Sequence, residues 1–300
     1  MKREKHQVIR MSGGLEDEKV YLPVKDYSGV KMIYEMSWPE IEEQTRVCDV
    51  VIIPIGSIEQ HGHHTPVGED ALNAIEIAKR IAKRTNAVVA APIWYGAHMY
   101  QQMGFYGTIP VRSDAVKEYV KDVIRGFSRL GFGKIIVLNA HGQQWVLEGA
   151  LHDLGTEIDS FLAIATWWDF CGKTISAVCS TPFLHADEAE TSVALALYPS
   201  LVNMEKADKE AGTPLVDRNF FGGPAHFPEE GGFPGHALTA FNFQKDEYKK
   251  GVLGDATKAT REKGTIIVED AVKKISAFIE HLKAKYPPGT RIRKQFTYKE

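Results

Sequence analysis

Cysteine is scarce in this chain, with only Cys48, Cys171 and Cys179 among 300 residues. The number is odd and no pair has CxxC or zinc-ribbon spacing. That argues against a disulfide framework or a thiolate zinc site and suggests reduced thiols in a cytoplasm. Long apolar runs are also lacking: no stretch of about 18 apolar residues occurs, and the charged amino terminus has no apolar segment of signal-peptide length. A membrane-spanning or exported chain is therefore not expected. Charge of one sign is missing too, since 36 Lys and Arg balance 39 Asp and Glu to a net −3. The two signs are interspersed, which leaves no electrostatic footprint for nucleic acid or anionic lipid. No GxGxxG opens a helix after a strand, so a dinucleotide-dependent oxidoreductase fits poorly. There is no repeat of fixed period and no low-complexity tract.

What is present reads as one sizeable enzyme-like domain. A hydrophobic content of 44% over 300 residues suffices to bury about three quarters of the extended chain's surface without staples. Residues 1–34 read as a polar arm, 35–285 as a single domain and 286–300 as a tail. Ser37-Trp-Pro39 opens a helix running to Arg46, with Pro39 suited to its first position. Strand Val50–Ile55 follows, then a helix carrying Leu72, Ile75, Ala78, Ile81 and Ala82 up to Arg84, then strand Ala87–Ile93. Ser113 reads as the N-cap of an amphipathic helix stopped by Gly131. Strand Ile135–Leu138, a helix after Gln144, strand Phe161–Trp167 and a helix from Glu188 continue the alternation. This order predicts an α/β fold, a three-layer α/β/α sandwich with a mostly parallel sheet.

Three segments carry candidate chemistry. The first, Ile55-Gly-Ser-Ile-Glu59-Gln-His61-Gly-His-His-Thr-Pro-Val-Gly-Glu-Asp70, puts two carboxylates and an imidazole on a loop directly after an apolar strand. Carboxylate oxygen with neutral imidazole nitrogen suits divalent transition ions, and ligands in open α/β sheets bind beyond the carboxyl ends of strands. A solvated loop whose histidines bind nothing is the plain alternative. The second segment, Asn139-Ala-His141-Gly-Gln143, ends another β-branched run. The third, His185-Ala-Asp187-Glu188-Ala-Glu190-Thr-Ser192, enters an apolar helical run closing at Pro199. Asp187 with Glu190 three residues on reads as an N-cap with a capping-box partner, leaving Glu188 and His185 freer for chemistry.

With Phe105-Tyr-Gly-Thr108 and Gly251-Val-Leu-Gly-Asp255 through Gly264, these blocks stand in the order of the creatininase family of metal-dependent amidohydrolases, which the chain resembles over roughly residues 35 to 285. The resemblance implies a homohexamer and two divalent ions per subunit, zinc and/or manganese with iron a further option. It also implies that Glu59 and His141 hold one ion, His61 the other, and that Asp70 bridges them. Creatininase completes the second site with a glutamate where this chain has Gln143, and many other members instead carry one at the position of Glu188. Glu188 is therefore the expected replacement ligand, with Glu190 second, and His185 the expected proton-transfer residue. The implied reaction is attack of metal-activated water on a carbonyl of a small cyclic substrate.

Departures at Gly142, Gln143 and Ser180–Leu184 fall where creatininase surrounds creatinine, and argue against creatinine itself. The resembled family also includes deformylases, lactam-type amidohydrolases and hydrolases that open an inositol-derived cyclic diketone; the polar arm and the amides Gln101 and Gln102 lean toward the last, with a cyclic amide or lactam as the alternative and a non-catalytic metal-binding subunit as the reading from another class. The Gly-, Pro- and Phe-rich segment 219–236, with His226 and His236, reads as a lid or subunit-contact loop or as a solvated loop.

Overall fold

The computed structural model describes residues 29–211 and 249–292. The expected segment 219–236, with His226 and His236, and nearly all of the amino-terminal arm lie outside them.

Among the described residues the main sheet has five parallel strands: β1 (Lys31–Met32), β2 (Val50–Ile55), β3 (Val88–Val89), β4 (Lys134–Asn139) and β5 (Phe161–Thr166), in the order β1-β3-β2-β4-β5. Every residue of β2 and β4 is buried, as strands covered on both faces require. Side chains alternate across the pleat, so Val50 and Ile52 enter one core while Val51, Ile53 and Ile55 enter the other. The first core is closed by α2 (Glu69–Thr85), α5 (Trp167–Val178), α6 (Glu188–Leu197) and α7 (Arg261–Lys285). The second is closed by α3 (Ser113–Arg129) and α4 (Gln144–Gly155). The outcome is the expected α/β sandwich with helices on both faces.

Several boundaries differ from the expectation. Helix α1 (Trp38–Val47) runs one residue past the expected Arg46, with Ser37 as its N-cap, whose backbone N–H donates to Glu40 at 2.7 Å. The strand expected over Ala87–Ile93 shrinks to two residues, Val88–Val89, and beyond Pro92, which has no N–H to give a ladder, Ile93 forms a single bridge to Ile55. Ser113 is the first residue of α3 rather than its cap. Helices α5 and α7 were not among the expected elements. Helix α7 packs so closely on α6 that a Cβ at Gly264 would stand 1.7 Å from the Ser192 carbonyl oxygen.

Register sets the site. Ile55 pairs with Asn139, and Asn139 with Thr166, so the carboxyl ends of β2, β4 and β5 finish level and their following loops open at one edge. A small antiparallel pair, β6 (Lys209–Glu210) with β7 (Gly254–Asp255), lies beside this edge, where Leu253 N–H donates to the His185 carbonyl at 2.9 Å. Among the described residues no helix is long and apolar enough to cross a membrane.

Candidate metal centre

The loop after β2 is pressed against the first turn of α2: a Cβ at Gly56 would lie 2.3 Å from Ala71 N. Glycine there brings Asp70, on α2, beside Glu59 and His61, on the loop. The loop is braced by Thr108, whose hydroxyl accepts the Gln60 N–H at 3.0 Å, and by Ile109 N–H donating to Ile58 at 3.0 Å. This accounts for the Phe105–Thr108 block. Asn139 fixes the second loop, its amide donating to the His141 carbonyl at 2.7 Å.

Asp70 divides its carboxylate between two histidines. Oδ1 lies 3.3 Å from His61 Nε2, and Oδ2 lies 2.9 Å from His141 Nδ1 while accepting from Ser57 Oγ at 2.8 Å. Glu59 Oε2 is 3.1 Å from the same His141 nitrogen. The far nitrogen of each histidine meets a backbone carbonyl: His61 Nδ1 at Glu59 O, 3.1 Å, and His141 Nε2 at Ala97 O, 2.8 Å. A carbonyl only accepts, so those nitrogens carry hydrogen and the opposite lone pairs point at carboxylates. This is how metal-binding histidines are oriented.

The electrostatics agree. Burial pulls His141 down, yet the Glu59 and Asp70 carboxylates override it and push it up to about 10. Burial likewise opposes Asp70 and Glu69 at His61, which ends well above the imidazole range. For Asp70 burial acts upward, but the two histidines hold it well below the carboxylate range. The pocket thus demands positive charge between its carboxylates, which a divalent cation supplies without protons. His61 Nε2, buried and without a hydrogen-bond partner despite facing Asp70 and Glu190, marks where a cation fits. Three donor groups lie within 4.8 Å: Glu59, His98 and His141; Glu59, His61 and His185; His61, Asp70 and Glu190.

One expectation is corrected. Glu188 does not face this cluster: its buried carboxylate accepts Ser180 N–H at 2.8 Å, Thr181 N–H at 2.9 Å and Thr181 Oγ1 at 2.8 Å, and pairs with Lys263 Nζ at 2.5 Å. With Ser180 Oγ, also donating at 3.1 Å, these donors leave it an anchor for the 180–184 segment. Glu190 takes the inward position, 3.9 Å from His61 Nε2. Nor does Glu190 close a capping box on Asp187; it accepts Ala186 N–H at 2.5 Å, and Ala186 holds the left-handed φ of 48°. Strain of this kind gathers at functional loops. Asp187 does cap α6, accepting from Ala189 N at 2.8 Å. Positions 188 and 190 are the first and third of a helix, about 200° apart around its axis, so one had to face away.

His185 stands over the cluster, its ring centroid 4.5 Å from that of His61, and burial lowers it to about 4. Its Nε2 lies 2.9 Å from both the Gln60 carbonyl and the Gln60 side-chain Nε2. One accepts and the other donates, so this nitrogen keeps a partner in either tautomer. The cavity, about 60 Å³, is lined by Glu59, Asp70, His141, His185 and Glu190 together with Gln101, Gln102, Trp168 and Phe183. His98 and Gln60 also join the site. Nothing in their spacing marks them, because both act through contacts more than 40 positions away.

Fold and site together define an α/β protein with a buried carboxylate–imidazole centre suited to divalent cations. The family model for creatinine amidohydrolase matches residues 34–279. A 3-dehydro-scyllo-inosose hydrolase of Thermotoga maritima is 35% identical over 85% of this chain and 84% of its own length. The creatinine amidohydrolase of Pseudomonas putida is 31% identical over 85% and 96%. A crystal structure of creatininase superimposes with a TM-score of 0.69 at 27% identity, covering 86% of this chain and 99% of that one. A manganese form gives 0.68 at 27% over 86% and 100%, and a zinc-zinc form of a variant gives 0.67 at 28% over 86% and 98%. The chain belongs to the creatininase family of hydrolases.

Proposed function

We propose that this protein is a binuclear metal-dependent hydrolase that opens a small carbonyl ring, with 3-dehydro-scyllo-inosose or a close analogue as substrate and a carbon–carbon bond as the bond cleaved. The observation that carries the reading is the Asp70 carboxylate shared between His61 and His141, each fixed from behind by a backbone carbonyl. Glu59, Asp70 and His141 would hold one ion, and His61, Asp70 and Glu190 the other. Divalent ions in such a site lower the pKa of water and polarise a carbonyl oxygen.

The chain's own residues supply the rest. His185, neutral through burial, receives and returns a proton within the cavity, while the Gln60 carbonyl and amide hold its Nε2 in both tautomers. Trp168 and Phe183 exclude water on one flank, and Gln101 and Gln102 present neutral hydrogen-bonding groups to a polyhydroxylated ring. The 35% identity to an inosose hydrolase supports this substrate over creatinine.

The test is to strip the purified protein with chelator, reload it with zinc or manganese, and offer the inosose diketone and creatinine separately. Ring opening to a linear sugar acid, dependent on about two ions per chain, is expected. Creatinine turnover without inosose turnover would move the assignment to cyclic amide cleavage, and undiminished activity after chelation would end it. The implied homohexamer is read by light scattering on the same sample.

A further inference from the structure

Gln143 stands where creatininase, by the resemblance, has a carboxylate ligand, yet both ends of its amide are engaged elsewhere. Buried completely, it accepts the Ala97 N–H at 3.0 Å through Oε1 and donates to the Gly56 carbonyl at 3.1 Å through Nε2. It acts as a staple between the loop after β2 and the segment 94–99. A Cβ at Gly96 would come within 2.7 Å of its Oε1, so the segment lies tightly on it. That staple sets two further groups in place: the Ala97 carbonyl, which orients His141, and the His98 ring, whose centroid lies 4.8 Å from that of His141.

His98 is buried, with 5% of its surface exposed, and donor atoms of Glu59, His98 and His141 lie within 4.8 Å of one another. Donors sharing one ion at bonds of about 2.1 Å stand about 3.0–4.2 Å apart, so a contraction of under about 2 Å would bring the three onto one cation. Among the described residues His98 has Ser57 Oγ as a side-chain partner at 3.2 Å, while the Ser57 hydroxyl approaches Asp70 Oδ2 more closely, at 2.8 Å.

We propose that His98 is a protein ligand of the ion held by Glu59, Asp70 and His141, brought there by the Gln143 staple. This rests on the binuclear reading above and deepens it. An imidazole added to Glu59, Asp70 and His141 makes that donor set richer in nitrogen, which suits zinc better than manganese.

The experiment uses the full-length protein and its His98→Ala, His98→Asn and Ser57→Ala variants. Chelator competition measures zinc affinity, and visible absorption of the cobalt-loaded form reports the ligand field. His98→Ala and His98→Asn are expected to weaken one of the two ions by about tenfold or more and to alter the cobalt spectrum, whereas Ser57→Ala, which removes a hydrogen bond to Asp70 but no ligand, is expected to lower affinity while keeping the wild-type cobalt spectrum. His98→Asn can keep a hydrogen bond to Ser57, so it serves if the alanine variant fails to fold. Unchanged affinity and spectrum in both His98 variants would overturn the inference while leaving the binuclear site standing. A cobalt spectrum altered in the same way by Ser57→Ala would also overturn it, because His98 would then act through Ser57 and Asp70 as a positioning residue. A wild-type protein that binds no divalent ion would instead remove the function proposed above.

Discussion

Replacing Lys263 with methionine leaves the Glu188 carboxylate buried without its cation. The ammonium lies 2.5 Å from Oε1, and Glu188 has no exposed side-chain surface. Breaking a buried pair from one side costs about 3–5 kcal/mol. Two features lower that figure here. The lysine side chain is 27% exposed, so solvent already screens the pair. The carboxylate also keeps the Ser180 and Thr181 backbone N–H groups and both hydroxyls. A loss of about 2–3 kcal/mol is expected, or about 5 °C in unfolding midpoint for a chain of this size. Glu188→Gln should cost a similar amount, because its NH2 would face a donor, and the double variant should cost less than the sum by about 1–2 kcal/mol. Unfolding is followed in chelator, so that metal binding does not contribute, and bound metal is counted separately. Both single variants should retain the wild-type metal content. A Glu188→Gln protein that keeps its stability but loses an ion would refute the reasoning and restore Glu188 as a ligand.

Other outcomes follow from the same geometry. Asp70→Ala should lose most of both ions and abolish turnover, since one carboxylate serves two histidines; elemental analysis showing full occupancy would contradict its shared position. Gln60→Ala should shift the pH profile of turnover more than it changes substrate affinity, because it removes the amide donor that holds His185 Nε2 in one tautomer; a change in affinity alone would count against that role. Burial pushes Cys171 and Cys179 up to about 12, so native protein at pH 9 should react with a thiol reagent far more slowly than unfolded protein. The sign follows: folded-state values raised above the thiol's ordinary 9.0 add stability that is complete below pH 9 and lost as pH climbs toward 12. Fast native labelling would show these thiols to be accessible. Gly264→Ala should destabilise by at least about 2 kcal/mol, measured by denaturant unfolding, since α6 and α7 would have to separate; a neutral result would mean the helices yield easily.

The amino-acid order alone determined the alternation of strands and helices and the placing of Glu59, His61 and His141 after buried strands. Those features are local: an apolar run of fixed period ends, and a polar turn begins. The sheet's full register, the two missed helices and the donor set's last members are not local. Glu188 and Glu190 have the same chemistry two positions apart, and only the packing of α6 against the sheet and α7 decided which turned inward and which met Lys263. Gln60, His98 and Gln143 likewise gain their roles from partners 40 or more residues distant, brought close because β2, β4 and β5 end level. Sequence sets which groups a chain can offer; their convergence depends on distances that exist only once the sheet has formed.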